Sequence, residues 1–96
     1  MSKHNEHSIK EAIAKLLKAY KLDEKLAERR LIHSWEEVMG QMIANHTKDI
    51  FVKNKQLFVT LDSSALRNEL LLAKSKIIQM LNKAAGSEVI NDVILK

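Results

Sequence analysis

The stretch Ile50-Phe51-Val52-Lys53-Asn54-Lys55-Gln56-Leu57-Phe58-Val59 decides the fold. Apolar residues alternate on both sides of Asn54-Lys55, and period-two alternation puts successive side chains on opposite faces of a strand. Two strands joined by two residues form a tight hairpin. Asn54 tolerates positive φ, whereas Lys55 suits a primed turn less well than glycine, so the turn type stays open. A two-residue loop pairs Lys53 with Gln56, Val52 with Leu57, Phe51 with Phe58 and Ile50 with Val59. That register gathers the four aliphatic residues on one face and both phenylalanines on the other.

Downstream, Asp62, Ser63 or Ser64 caps a helix carrying Leu66, Leu70, Leu71, Ile77, Ile78 and Leu81, which ends near Gly86. Val89–Leu95 is short and β-branched and reads as a closing strand. Asn91 and Asp92 interrupt both of its alternations, so its buried face is undetermined. Upstream, one helix is expected from Asp23 toward Asn45, with Leu31, Ile32, Trp35, Val38, Met39, Met42 and Ile43 on one face. Gly40 sits inside it at a cost of about 1 kcal/mol relative to alanine, which points to a close backbone approach. An earlier amphipathic helix carries Ile9, Ile13, Leu16, Leu17 and Tyr20, with Ser8 as its cap and Glu11 completing a capping box. Its outer face is basic, with Lys10, Lys15, Lys18 and Lys21. Residues 1–7 read as a disordered end, and 8–96 as one domain.

The expected class is therefore α+β, in the order helix-helix-strand-strand-helix-strand. A three-stranded sheet with helices on one face would bury the apolar stripes. The chain has 96 residues, enough for one modest core. It has no cysteine, which excludes disulfides and thiolate ligands and favours a reducing compartment. No apolar run approaches the roughly 20 residues needed to cross a bilayer, so a cytoplasmic protein is expected. The net charge of +4 allows weak phosphate attraction, but no segment is a basic block; residues 63–96, the most lopsided, hold five Lys/Arg against three Asp/Glu.

Catalytic chemistry was sought along the chain. The two glycines, Gly40 and Gly86, are too far apart for a phosphate-cradling loop. Ser63 and Ser64 are accounted for as helix caps. His4, His7, His33 and His46 form no metal-ligand spacing with any carboxylate, and His46 falls on the core side of the helical wheel. No metal or cofactor is expected, and no enzyme. Trp35, Met39 and Met42 read as core. Two features stand apart. Phe51 and Phe58 form an aromatic pair on the sheet face away from the aliphatic set, suited to docking a partner or stacking bases unless the first helix covers it. Arg67 and Lys74 lie within an apolar arc, as snorkelling cations or as a contact site that Lys53 and Lys55 extend.

From Trp35 onward the sequence resembles the DciA-like family. The residues that carry the resemblance are Trp35, Val38, Gly40, Ile43, Ala44 and His46-Thr47, then Leu57-Phe58-Val59, Ser63-Ser64-Ala65-Leu66, Glu69-Leu70, Ile77, Leu81-Asn82 and Gly86. The sequence departs from the family where Asn54-Lys55 stands in place of a frequent glycine, and Leu66 in place of a frequent tryptophan. Longer members also carry a C-terminal extension implicated in helicase and DNA contacts, and here the sequence ends at the last expected strand. The resemblance implies a fold similar to K-homology domains, though without their Gly-x-x-Gly loop. It also implies a non-enzymatic role in DNA replication with the replicative helicase as partner. Partner contact is expected at Phe51, Phe58, Lys53 and Lys55. Weak single-stranded nucleic-acid binding through Lys53, Lys55, Arg67 and Lys74 is the alternative, and a self-associating scaffold a third.

Overall fold

A computed structural model describes residues 6–96 of the chain. Its elements are α1 (Glu6–Ala19), α2 (Leu22–Met39), α3 (Gln41–Asn45), β1 (Thr47–Lys53), β2 (Gln56–Leu61), α4 (Ser64–Leu72), α5 (Lys74–Ala85) and β3 (Asp92–Leu95). The order is the expected one once two helices are seen to be broken. The expected disordered end, 1–7, falls largely outside the described residues. Helix α1 already includes Glu6, so Ser8 lies inside it and is not its cap.

The hairpin has the register that its alternation dictates. Lys53 faces Gln56, Val52 faces Leu57, Phe51 faces Phe58, and Ile50 faces Val59. Asn54 and Lys55 have φ of 53° and 61°, the signature of a type I′ turn. Strand β2 is central, antiparallel to β1 and parallel to β3. Its residues alternate strictly, with Leu57, Val59 and Leu61 buried and their neighbours half-exposed. Leu31 and Trp35 of α2, Leu66 and Leu70 of α4, and Ile77, Leu81 and Ala85 of α5 join them in one core. The helices that contribute to the core therefore lie on one sheet face.

Both breaks correct the expectation of unbroken helices. Gly40 has φ of 94° and ψ of 160°, outside any helical region, and its N–H still bonds to Glu36 O. An added Cβ there would meet nothing within 4 Å, so glycine is required for backbone conformation and not for close approach. The second break, at Ala73, separates α4, which lies against β2 and β3, from α5, which packs along α2. Periodicity alone did not show it, because Leu70 and Ile77 stay seven residues apart on either side.

Side-chain hydrogen bonds fix the joints between elements. Ser63 caps α4 by accepting from Leu66 N. Gly86 ends α5 in the left-handed region. The Asn82 side chain accepts from Val89 N and Ile90 N and donates to Ile90 O, holding the path from α5 into β3. Residues 88–91 are thus loop, which explains why alternation over Val89–Leu95 was unreadable; Ile90 and Val93 are the buried members. Arg30 donates to the carbonyl of Ala85, tying α2 to the C-terminal end of α5, where a cation also suits the helix dipole.

Helix α1 departs most from expectation. It packs appreciably only against α2, and the molecule extends 65 Å along one axis against 24 and 21 Å along the others. It leaves the sheet uncovered. Met42 is also exposed, not core, because the break at Gly40 turns α3.

Two substitutions test these joints. Lys55→Gly should stabilise the chain by about 0.5–1 kcal/mol in urea denaturation, because glycine accepts positive φ at no steric cost. Asn82→Ala should destabilise it by about 1–3 kcal/mol, since half-buried backbone N–H groups lose their acceptor.

Candidate functional site: the open face of the sheet

The face of the sheet opposite the core is built by alternation. Phe51 and Lys53 of β1 share it with Gln56 and Phe58 of β2, and through the parallel register with Asp92 and Ile94 of β3. Phe51 and Phe58 sit directly across from one another with ring centroids 4.9 Å apart and planes 8° from parallel. Phe51 is 40% exposed, so the pair is a stacked aromatic surface in contact with water. Lys96, one residue past β3, places Nζ 5.5 Å from the Phe58 centroid, within the range of a cation–π contact. Sequence reading missed it, although Lys96 lies two residues beyond Ile94 and shares its parity.

The expected basic residues are not gathered into one patch. Lys53 is exposed on the aromatic face. Lys55 lies in the turn, where it borders a space of about 300 Å³ lined also by Asp23, Glu24, Glu28 and Glu88. Lys74 is ion-paired to Asp92 at 3.0 Å. That contact, helped by the N–H of Val93, holds the Asp92 carboxyl below the usual carboxylate range. Arg67 is half-buried on α4. Of the expected cations only Lys53 shares the sheet face of the phenylalanine pair, while Lys25 and Arg29 of α2 border a space that Phe51 also lines.

A second polar cluster sits at the base of the sheet. His46 was expected on the core side; its side chain is instead 45% exposed, and the Asp62 carboxylate accepts from His46 Nδ1 at 2.6 Å. Lys48 reaches the other oxygen of Asp62 at 3.3 Å. The hydrogen bond from His46 is the main cause that pulls the Asp62 carboxyl below its ordinary value, with Lys48 adding to it. Lys48 is the extra residue of a bulge, since Thr47 pairs with Leu61 and Asp49 with Thr60. The bulge reverses the parity of the strand and turns Thr47 to the helix side. There its hydroxyl accepts from Trp35 Nε1 at 3.0 Å and donates to Ile43 O at 2.8 Å. His46, Thr47 and Trp35 thus join neighbouring elements through their side chains. Among the described residues no group of three or more His, Cys, Asp or Glu side chains is placed to hold a metal ion. No described helix is long and apolar enough to cross a membrane.

This is the geometry of a small α+β domain with helices on one sheet face and aromatic rings on the other. The family described as Dna[CI] antecedent, DciA, matches residues 8–95, and the chain belongs to that family. It is similar to a UPF0232 protein of Corynebacterium glutamicum (strain R), 35% identical over 60 residues, which are 62% of this chain and 34% of that relative. The chain thus spans about a third of the length of the curated relative it matches. No solved structure matches, so the expected likeness to K-homology domains gains no support from that side.

The ion pairs of Asp62 set the sign of an acid effect. A carboxyl whose folded pKa is depressed contributes stability above its unfolded value, near 3.8, and loses it as pH falls through the folded one. Carbon NMR should show Asp62 titrating below 3.8, and His46→Ala should move that midpoint upward. Below pH 4 the urea midpoint of the native chain should fall more steeply than that of Asp62→Asn.

Proposed function

We propose that this protein is a non-enzymatic DNA-replication accessory domain that binds the replicative helicase through the open face of its sheet. Membership of the DciA family over residues 8–95 carries the replication role. The stacked Phe51–Phe58 pair supports the choice of surface. Aromatic side chains exposed at fixed positions on a rigid sheet bury large area at little entropic cost when a partner covers them. Lys53 at the hairpin, with Lys55 beside it in the turn, supplies a charged rim.

A second reading rests on the same rings. Two parallel, stacked phenylalanines flanked by Lys53 and Lys96 suit base stacking with phosphate attraction, which is how single strands are held without sequence preference. Arg67 and Lys74 lie outside this group, Lys74 being neutralised by Asp92.

The experiment is binding of the full chain to purified replicative helicase, measured by co-elution and titration. Phe51→Ala/Phe58→Ala should weaken the complex at least about tenfold, the typical scale for truncating an interface anchor. The fold should survive, because neither ring belongs to the buried core. Unchanged helicase affinity in that variant discards the surface. Affinity for single-stranded DNA that drops steeply between low and moderate salt, and disappears in the same variant, favours the second reading.

A further inference from the structure

Helix α1 is the part of the molecule whose apolar surface the fold leaves unused. Ile9, Ile13, Leu16 and Tyr20 are each about half exposed or more, Tyr20 reaching 69%. Beside them Leu22 and Leu26 of α2 are 44% and 50% exposed, so most of the exposed large apolar side chains gather at this end. The radius of gyration, 17.0 Å, exceeds the roughly 13 Å expected of a compact chain of this length, as befits a helix that stands off the body. Fourteen residues also form a marginal helix on their own in water. Such a helix is accounted for only if something covers its stripe.

We propose that α1 pairs, antiparallel, with α1 of a second copy of this chain. The stripe is spaced four, three and four residues apart, a pattern that reads the same in both directions. In an antiparallel pair this sets Ile13 against Leu16 of the other copy and Ile9 against Tyr20, with no residue left over, as at the a and d positions of a two-heptad coiled coil. Ala12 and Ala19 flank the seam on one side and let the backbones approach. On the other side Lys10 lies beside Leu17, where its aliphatic stem covers the leucine. Glu11, Lys15 and Lys18 point away from the seam on the helical wheel, so the basic outer face does not oppose pairing. Antiparallel packing also sets the helix dipoles head to tail. The exposed stripe with Leu22 and Leu26 amounts to roughly 600 Å² per copy, or roughly 1,200 Å² for the pair, the lower limit of a stable interface.

Light scattering and sedimentation equilibrium on the full chain test this. The expected mass is twice 11.0 kDa, with Ile13→Asp/Leu16→Asp raising the dissociation constant at least about a hundredfold. That variant should keep the Trp35 fluorescence and urea midpoint of the parent, because α1 lies outside the core. Leu72→Asp, a change at a still more exposed leucine at the end of α4, should leave the mass doubled. The chain has no cysteine, so a mixture of Ile9→Cys and Tyr20→Cys chains should cross-link, whereas Ile9→Cys alone should not. A mass of 11.0 kDa at about 500 µM overturns the proposal, whether α1 is then folded onto its own body or reserved for another protein. So does a dimer that survives the double aspartate change, or one in which Ile9→Cys links to itself.

Discussion

Strand β2 is hydrogen-bonded on both sides, and its alternate residues Leu57, Val59 and Leu61 must leave water together. Neighbouring strands satisfy its backbone, so the only remaining demand is a cover for one face. Helices α2, α4 and α5 meet it with Leu31, Trp35, Leu66, Leu70, Ile77 and Leu81. One-sided burial therefore fixes both halves of the molecule's character. On the covered side every buried side-chain polar atom among the described residues has a hydrogen-bond partner, and the uncovered side displays whatever the opposite parity of the same strands carries.

The residues that carry the family resemblance acquire physical roles in this arrangement, and most of those roles are structural. Trp35 and Thr47 lock α2, α3 and β1 through one hydroxyl. Gly40 allows a turn no side-chain-bearing residue adopts readily, and Gly86 allows the left-handed end of α5. Ser63 starts α4, and Asn82 holds the approach to β3 with three hydrogen bonds. Only Phe58, in that set, faces the open side. Such a signature follows the scaffold and marks little of the open face.

The charge distribution agrees with a recognition role more than with a polybasic grip on phosphate. A net charge of +4 is dispersed, and several of the lysines nearest the sheet are occupied: Lys74 by Asp92, and Lys48 by Asp62. Lys55 borders a space lined by Asp23, Glu24, Glu28 and Glu88. Close ion pairs reduce the field that a distant polyanion would feel. Beside the rings the charge is local, with Lys53 on one strand, Lys96 after another, and Lys25 and Arg29 of α2 across a space from Phe51.

Much of this was legible without coordinates. Alternation about Asn54-Lys55 determined the hairpin, its register and the separation of phenylalanines from aliphatics, because strand parity is a local property that tertiary context leaves alone. Helical spacing likewise determined the apolar faces of α2, α4 and α5, while the run Asp62-Ser63-Ser64 marked the start of α4 and Gly86 the end of α5. Tertiary structure decided what depends on two elements at once. It broke the helices at Gly40 and Ala73, where successive segments serve different neighbours, and used a bulge at Lys48 to turn Thr47 toward Trp35. It neutralised Lys74, carried Lys96 over Phe58, and left the apolar stripe of α1 exposed. An amphipathic stripe shows that a helix needs a partner, but the partner is set by which surfaces the rest of the fold has already filled.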